Sequence, residues 1–462
     1  MVLLEEKLER VKDSEEKKEI KIGIVGAGYV GLVTSIGLAY KGFKVLVFEK
    51  NKEKLNLLKK GIAPFYEPDL QKFLLNSLNS GNLEFVDEIS QLVKSCKHIY
   101  ICVGTPIKED QTYDMSFLDA AAKEIANHLP SNEQKIIIIK STVPPGTAKW
   151  FKKIIYRYRR GKKTNIEIAS IPEFLREGNA IYDFFNPNRI IIGVDNKSII
   201  DDLTQIYHDF PAPILIVSTT EAELIKLASN CFLSTKISFI NSISDICEKL
   251  GCDIENVRTG IGLDNRIGLD FLKPGIGFGG SCLPKDLEAI ISLFKEKQVD
   301  PILFEAVKKI NNDRITLLMN KIKKALWNIK GKIITIWGIS FKAGTDDIRE
   351  SPTLKLIPHL LNEGAYLVLY DPKATHNFKN QFPQYSINPN IKITEDIYES
   401  TVNSNLIVIT NDWEEYKKAD FFKIYELMET PIIIDGRNII NYPEILEYGF
   451  EYYRIGVSYE ST

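Results

Sequence analysis

The stretch KIGIVGAGYVG, residues 21–31, decides how the first part of the chain folds. It joins a short apolar strand pattern to the glycines Gly26, Gly28 and Gly31, and the helical pattern LVTSIGLAYKG follows. A strand, a tight glycine turn and a helix in this order form the dinucleotide-binding fingerprint, in which the helix N-terminus faces a pyrophosphate. We therefore predict a Rossmann-like fold that begins at this strand and binds a dinucleotide.

The second strand pattern, KVLVFEKN, indicates which dinucleotide is bound. It ends at Glu49, 23 positions after Gly26. A carboxylate at this point can accept hydrogen bonds from both ribose hydroxyls and would repel a 2′-phosphate. The predicted cofactor is therefore NAD rather than NADP.

The order of apolar segments along the chain predicts the fold class. Strand patterns at 98–106, 135–147, 166–174, 189–194 and 213–219 alternate with helical patterns, and several are continuous apolar runs typical of strands covered on both faces. Long helical patterns follow to about residue 325, and the capping-box spacing of Thr220 and Glu223 opens the first of them. A second α/β half begins at 332 with KIITIWGISF, which lacks the glycine fingerprint. The prediction is two Rossmann-like, doubly wound parallel-sheet domains joined by a long central helical connector.

The predicted boundaries follow from these shifts in pattern. They are 1–20 for a charged N-terminal arm, 21–217 for the NAD-binding domain, 218–328 for a central helical region that mediates dimerisation, and 329–462 for the second Rossmann-like domain.

Composition excludes several classes of function. The net charge of −2 gives no reason to expect nucleic acid or an acidic membrane as partner, and the longest apolar runs are far shorter than a membrane span. Six cysteines without a C-x-x-C pair, and five scattered histidines, predict reduced thiols in a cytoplasm and no metal site.

The stretch FLKPGIGFGGSCLPKD, residues 271–286, is the strongest candidate for covalent chemistry. It places Cys282 directly after a glycine-rich turn and before Lys285 and Asp286. Glycines allow a ligand to approach the backbone, and cationic neighbours favour the nucleophilic thiolate. The alternative is a surface loop with a buried structural cysteine.

Four further positions combine polar side chains with apolar surroundings. Thr142 follows a strand where open α/β sheets bind ligands, although it could instead cap a helix. Glu173 follows another strand and could act as a general acid or base, or be a surface acid. Lys226 and Asn230 share one helical face and could stabilise an alkoxide, or belong to a solvated stripe.

These positions lie within motifs that resemble a known family. The motifs KIGIVGAGYVGL, YEPDL, STVPPGT, PEFLREGNA, KLASNCFLSTKISFIN, GFGGSCLPKD, FKAGTDDIRESP and DGRN occur in family order. Over residues 20 to 455 the chain resembles the UDP-glucose 6-dehydrogenases of the UDP-glucose/GDP-mannose dehydrogenase family. The resemblance implies a four-electron oxidation of a sugar primary alcohol to a carboxylate by NAD.

The resemblance also implies roles for individual residues. Cys282 would be the nucleophile that forms a thiohemiacetal and then a thioester, with Lys226, Asp286, Glu173, Thr142 and Asn230 as the other catalytic residues. The implied cofactor-binding residues are Gly26, Gly28, Tyr29, Val30, Gly31, Glu49, Thr105, Thr142 and Arg349. The implied substrate-binding residues are Phe174, Leu175, Arg176, Lys226, Asn230, Arg266, Phe271, Lys273, Gly279, Lys342 and Arg437.

The resemblance leaves the substrate and the assembly to be tested. PEFLREG followed by P-x-R favours UDP-glucose over GDP-mannose or a UDP-N-acetylhexosamine. The implied assembly is a homodimer through the central helical region, with Arg266 reaching the neighbouring subunit's substrate. A non-catalytic NAD-binding homologue and a two-electron 2-hydroxy-acid dehydrogenase are the alternatives from other classes.

Overall fold

The computed structural model describes residues 20–108 and 112–458, which divide into two compact units. One unit ends at Ala228 and the other begins at Ser229. The predicted N-terminal arm, apart from Ile20, lies outside the described residues.

The first unit is a sheet flanked by helices. Its strands are β1 (Lys21–Val25), β2 (Lys44–Phe48), β3 (Leu83–Val86), β4 (His98–Ile101), β5 (Lys135–Ile139), β6 (Ile166–Ser170), β7 (Ile190–Val194) and β8 (Ile214–Val217). Its helices are α1 (Tyr29–Tyr40), α2 (Lys52–Lys59), α3 (Leu70–Asn79), α4 (Ile89–Ser95), α5 (Ser116–His128), α6 (Thr147–Arg159), α7 (Ala180–Phe185) and α8 (Ile200–Tyr207).

The strand order of the first sheet is β3-β2-β1-β4-β5-β6-β7-β8. The order reverses beside β1, which is the topological switch point where doubly wound sheets bind nucleotides. Apolar side chains from both faces form two core clusters, one around Ile22 and Ile24 and the other around Ile99 and Ile101. The predicted doubly wound α/β fold is confirmed for this unit.

Two strands at the end of this sheet depart from the predicted arrangement of parallel strands covered on both faces. β7 pairs with β6 in the antiparallel direction, through Ala169 with Val194 and Ser170 with Gly193. In β8 the side chain of Leu215 is 51% exposed and that of Ile216 is 37% exposed. Cover on both faces therefore does not extend to β8, which is the outermost strand of the sheet.

The long helix α9 (Thr219–Leu250) begins two residues earlier than its predicted capping box implies. Ser218 and Glu221 form the box: the Ser218 N–H donates to Glu221 Oε2 (2.7 Å) and the Glu221 N–H donates to Ser218 Oγ (3.3 Å). The predicted pair of Thr220 and Glu223 is wrong, because the Glu223 carboxylate is occupied by backbone N–H groups of another loop.

The second unit contains the rest of α9 and a smaller sheet. Its strands are β9 (Ile333–Trp337), β10 (Tyr366–Tyr370), β11 (Ile391–Thr394), β12 (Leu406–Ile409), β13 (Ile432–Asp435) and β14 (Glu451–Arg454). Its remaining helices are α10 (Ile254–Gly262), α11 (Leu283–Glu296), α12 (Ile302–Leu326), α13 (Pro352–Asn362), α14 (Thr375–Gln381), α15 (Pro383–Ser386), α16 (Glu414–Lys417), α17 (Phe421–Leu427) and α18 (Tyr442–Glu447).

This second sheet has the order β11-β10-β9-β12-β13-β14, and all its pairs are parallel. The order matches the first six strands of the other sheet, so the prediction of a second Rossmann-like fold is also confirmed. No helix in the described ranges has the length and apolar character needed to cross a membrane.

Candidate active site

The glycine turn after β1 has the geometry that a dinucleotide needs. Gly26 has φ 95°, a left-handed conformation that favours glycine, and a Cβ on Gly31 would lie 1.9 Å from the Gly26 carbonyl oxygen. A Cβ on Gly28 would meet no atom within 4 Å. Gly28 is the N-cap of α1, so the space beside it lies at the positive end of the helix dipole. The turn therefore fits a pyrophosphate, which the helix N-terminus attracts.

Glu49 lies directly after β2, where the ribose carboxylate is expected. Its Oε2 accepts a hydrogen bond from the Ala27 N–H (3.0 Å) and its Oε1 accepts one from the Asn51 N–H (2.9 Å). Lys54 Nζ lies 3.7 Å from Oε2. The carboxylate is thus fixed against the glycine turn itself, as NAD binding requires. Tyr29 and Val30 begin α1 beside it.

The STVPPGT loop between β5 and α6 is held at two points. Thr105 Oγ1 donates to the Thr142 carbonyl oxygen (2.7 Å). At the other end of the loop, Glu223 of α9 accepts hydrogen bonds from the N–H groups of Gly146 (2.6 Å) and Ala148 (2.8 Å). Thr142 is half-buried and lies five residues before α6, whose N-cap is Gly146. The alternative role of Thr142 as a helix cap is therefore wrong.

Glu173 and Lys226 form a buried ion pair in the first unit. Lys226 Nζ lies 3.0 Å from Glu173 Oε1, and the Leu175 N–H donates to Glu173 Oε2 (2.6 Å). Both side chains are buried, so the alternatives of a surface acid and a solvated stripe are wrong. Lys226 Nζ also lies 5.4 Å from the centre of the Phe174 ring. A buried pair of this kind can transfer or hold a proton without competition from bulk water.

Cys282 occupies the N-terminus of a helix. It is the N-cap of α11, Pro284 follows in the first turn, and its carbonyl oxygen accepts the Asp286 N–H (2.9 Å). The side chain is exposed, so the alternative of a buried structural cysteine is wrong. The position favours negative charge on sulfur, because the unpaired amides of a helix N-terminus carry partial positive charge.

Asp286 is a buried acid of the second unit. Its Oδ2 accepts from Asn230 Nδ2 (2.6 Å) and its Oδ1 accepts from Lys285 Nζ (2.6 Å). Cys282 and Asp286 are four residues apart at the start of α11 and therefore lie on one helical face. The Lys285 ammonium therefore forms an ion pair with Asp286.

The glycines before Cys282 serve packing within the second unit. A Cβ on Gly279 would lie 2.2 Å from the Glu350 carbonyl oxygen, and one on Gly280 would lie 2.8 Å from the Phe341 ring. The Gly280 N–H also donates to the Arg349 carbonyl oxygen (2.9 Å). These glycines are therefore required for the close approach of two chain segments, a reason that the sequence did not reveal.

The other predicted site residues differ in their surroundings. The Arg437 guanidinium donates to the carbonyl oxygens of Thr410 (2.8 Å) and Gly277 (3.3 Å), and burial lowers its pKa. Arg349 pairs with Asp347, and Arg176 pairs with Asp183. The remaining positions are the half-buried Leu175, Phe271 and Lys342, and the exposed Lys273 and Arg266, of which Arg266 pairs with Asp264.

Several residues that shape these loops were missed by the sequence analysis. Arg314 donates to the Gly275 carbonyl oxygen (3.1 Å), Asn241 Oδ1 accepts the Gly275 N–H (2.8 Å), and Asn311 Oδ1 accepts the Phe278 N–H (2.8 Å). Glu67 and Glu223 hold loops of the first unit. Polar side chains within apolar helical patterns were the available signal, but such patterns do not identify the partner. No cluster of three or more His, Cys, Asp or Glu side chains suited to a metal occurs in the described part of the chain.

Three family models match the chain in succession. All are from the UDP-glucose/GDP-mannose dehydrogenase family: the NAD binding domain matches residues 20–211, the central domain 220–313 and the UDP binding domain 335–442.

Individual relatives match over almost their full lengths. The UDP-glucose 6-dehydrogenase of Rickettsia bellii is 41% identical over 441 residues, which are 95% of this chain and 99% of that protein. Among solved structures, a UDP-glucose dehydrogenase from Pyrobaculum islandicum has a TM-score of 0.88 at 30% identity, covering 96% of this chain and 100% of that one. A UDP-D-ManNAc dehydrogenase from Pyrococcus horikoshii has a TM-score of 0.82 at 27% identity, covering 95% and 99%.

Substitution of two glycines should separate cofactor binding from folding. Gly28→Ala should preserve the melting temperature, because the new Cβ meets open space, but it should weaken NAD binding by roughly tenfold or more, about 1.4 kcal/mol. Gly31→Ala should unfold the turn at a cost of about 3 kcal/mol, because its Cβ collides with the Gly26 carbonyl. Calorimetric titration with NADH and thermal unfolding would measure both effects. Unchanged NADH affinity in Gly28→Ala would contradict the proposed pyrophosphate position.

Glu223 should make stability depend on pH. Burial raises its pKa from 4.5 to about 7, against the opposing effect of the N–H groups that it accepts. Between these two pKa values, the folded state therefore keeps a proton that the unfolded chain releases. The stabilisation that results is full below about pH 4.5 and is lost as pH rises to about 7. The loss should reach about 3 kcal/mol.

The matched variants are Glu223→Gln, which cannot ionise, and Glu221→Gln, which changes an exposed glutamate on the same helix. Between pH 5 and 8, the unfolding midpoint should depend less on pH in Glu223→Gln than in the wild type. In Glu221→Gln it should change with pH as it does in the wild type. Equal slopes in all three proteins would show that Glu223 does not titrate in this range.

Proposed function

Because the chain belongs to the UDP-glucose/GDP-mannose dehydrogenase family of NAD-dependent oxidoreductases, we propose that it oxidises UDP-glucose to UDP-glucuronate. The C6 alcohol becomes a carboxylate in two oxidation steps. Each molecule of sugar would therefore reduce two molecules of NAD+.

The observation that carries this proposal is that all the side-chain groups that the reaction needs are present, namely a thiol, a lysine ammonium and two buried carboxylates. An exposed thiol stands at a helix N-terminus with a buried carboxylate one turn later, and a buried lysine–glutamate pair lies in the other unit. A two-electron dehydrogenase has no use for the thiol. A non-catalytic homologue would be expected to have lost at least one of Cys282, Lys226, Asp286 and Glu173.

Cys282 is the proposed nucleophile. Its thiolate sulfur would add to the carbonyl carbon of the C6 aldehyde, and the carbonyl oxygen would take a proton to give a thiohemiacetal. Oxidation of that adduct gives a thioester, and attack by water releases the carboxylate and returns the thiol. Bound NAD+ would accept the hydride from C6 in both oxidations.

The other catalytic side chains would stabilise charge and transfer protons around C6. The Lys226 ammonium and the Asn230 amide would stabilise negative charge on the C6 oxygen. Glu173 would take the proton from the water that attacks the thioester, and Asp286 and Thr142 would orient that water. Glu173 and Asp286 are both buried and already hydrogen-bonded, so each is held in a fixed orientation.

The nucleotide-sugar contacts are proposed from the family resemblance. Lys342 and Arg437 fall inside the stretch matched by the family's UDP binding domain, and each can offer positive charge to a diphosphate. Phe174, Leu175 and Arg176 would line the uridine diphosphate and sugar, together with Phe271, Lys273 and Gly279. Arg349 is proposed as a cofactor contact.

A UDP-N-acetylhexosamine is the second candidate substrate. The similarity to the Pyrococcus horikoshii UDP-D-ManNAc dehydrogenase supports it, but at 27% identity against 41% for the Rickettsia bellii UDP-glucose 6-dehydrogenase. GDP-mannose is the third.

A homodimer through α9 is proposed as the assembly. Phe232, Phe239 and Ile246 are each at least half exposed and repeat every seven residues, which gives an apolar stripe along one helical face. Arg266 is exposed and would reach the partner's substrate. Light scattering of the purified chain tests the dimer, and activity restored by mixing Arg266→Ala with Cys282→Ala chains tests the shared site.

The cellular location and domain limits also remain proposals. All six cysteines are thiols rather than disulfides, which fits a reducing compartment such as the cytoplasm. The limits at 217/218 and 328/329 are proposed from the sequence pattern, and limited proteolysis would test them.

The proposed reaction predicts the yield of NADH per sugar. With limiting UDP-glucose and excess NAD+, the purified chain should form two NADH per sugar, with GDP-mannose and UDP-N-acetylglucosamine tested in parallel. Cys282→Ser should reduce the steady-state rate on the order of a thousandfold, because a hydroxyl is a far weaker nucleophile and an ester hydrolyses slowly.

Cys252→Ser is the matched control, since Cys252 is another exposed cysteine of the same unit. It should retain the wild-type rate, whereas mass spectrometry of Cys282→Ser should detect a protein-bound uronyl adduct. Undiminished turnover with two NADH per sugar in Cys282→Ser would exclude covalent catalysis by this thiol.

A further inference from the structure

Glu67, from the motif YEPDL, is a buried carboxylate that the reaction does not use. It lies in the segment between α2 and α3 and is 4% exposed. Its Oε2 accepts hydrogen bonds from the Tyr29 hydroxyl and from the Gly178 N–H (2.6 Å), and its Oε1 accepts the Ala180 N–H (2.7 Å). The Gly178 N–H also approaches the Tyr29 oxygen (3.2 Å). Glu67 therefore joins two distant parts of the first unit.

One of these parts is the cofactor turn. Tyr29 is the first residue of α1, directly after Gly28. Burial and the Glu67 charge raise the pKa of Tyr29 well above its ordinary value, so the hydroxyl remains protonated and donates to the carboxylate. The Tyr29 ring also packs against Phe65, with ring centres 5.2 Å apart, which fixes its direction.

The other part is the segment 174–180, which leads from Glu173 to α7. It contains Phe174 and Arg176, which we propose as nucleotide-sugar contacts. Gly178 has φ 82°, and its N–H and that of Ala180 would lack helical acceptors at the start of α7. Glu67 supplies both acceptors, so the fold of this segment depends on the position of the Glu67 carboxylate.

We propose that Glu67 is a positioning residue that, together with Tyr29, couples dinucleotide binding at the glycine turn to the order of segment 174–180. A ligand that fixes α1 and its turn also fixes the Tyr29 hydroxyl, and through Glu67 it restrains Gly178 and Ala180. A nucleotide sugar that binds the ordered segment then loses less conformational entropy. The coupling is reciprocal, so each ligand should tighten binding of the other by the same factor.

The first experiment needs no sugar and is therefore independent of the proposed function. Amide hydrogen exchange over peptides that contain residues 174–180 is compared with and without saturating NADH. In the wild type, NADH should slow exchange in this segment. In Tyr29→Phe and Glu67→Gln, the slowing should be lost although NADH is bound, while Tyr40→Phe, at the other end of α1, should behave as the wild type.

Two results of this experiment would overturn the proposal. One is exchange over 174–180 that does not respond to NADH in the wild type. The other is slowing by NADH that persists in Tyr29→Phe. Tyr29→Phe removes a single hydroxyl, so the test remains available even if Glu67→Gln does not fold.

The second experiment measures the extension to the sugar and rests on the proposed function. Calorimetric titration of UDP-glucose should show affinity at least about fivefold higher with saturating NADH than without it, and this factor should approach one in Tyr29→Phe. Absence of any UDP-glucose binding to the wild type would count against the proposed substrate alone, because the exchange experiment still decides the coupling. A factor that is equal in the wild type and Tyr29→Phe would refute the coupling to sugar.

Discussion

Buried backbone N–H groups at the starts of helices are the constraint on which the loops of this protein depend. A helix leaves its first amides without helical partners, and a buried amide without an acceptor costs about as much as a lost hydrogen bond. In the first unit, Glu223 meets this need before α6 and Glu67 meets it before α7. Each carboxyl group is buried, so its oxygens in turn need these donors. Carboxyl oxygens and amides therefore satisfy each other, and the loops take positions set by residues far away in the chain.

The same need for hydrogen-bond acceptors explains why the turns after β1 and β9 differ, although the two sheets have similar strand orders. The glycine turn of the first unit leaves open space beside Gly28, and Glu49 takes the Ala27 N–H. In the second unit the turn after β9 meets the Asp371 carboxylate, which accepts the N–H groups of Ile339 (2.8 Å) and Ser340 (3.0 Å). Asp371 thus stands where Glu49 stands in the first sheet, but it binds further amides of its own chain and is 2% exposed. The second turn is closed by its own acid, which fits its lack of the dinucleotide fingerprint.

The long helix α9 shows the same pairing of buried polar groups. It carries Lys226 and Asn230 one turn apart, each bound to a buried carboxylate: Lys226 to Glu173 in the first unit and Asn230 to Asp286 in the second. The Lys226–Glu173 ion pair adds little net stability, since desolvation offsets the attraction, but loss of either partner would leave an uncompensated charge. Both contacts therefore fix the orientation of the Lys226 and Asn230 side chains.

The sequence by itself determined the fold class, the cofactor and the family, because these depend on local order. A strand, a glycine turn, a helix and an acid at fixed spacing leave few alternatives, and apolar periodicity distinguishes strands from helices. It also predicted site roles for Cys282, Glu173 and Lys226. The exposure of Cys282 and the buried pairing of Glu173 with Lys226 later removed the structural alternatives.

Only the tertiary structure decided the direction of β7, the exposure of β8, the start of α9 and the reason for Gly279. It also decided the roles of Glu67 and Glu223, whose backbone partners Gly178 and Gly146 are 111 and 77 residues away. A sequence pattern shows which face of an element is apolar, but it does not show which distant amide a carboxylate will meet. That choice is made when the elements pack, because only then is water excluded and each buried polar group forced to find a partner.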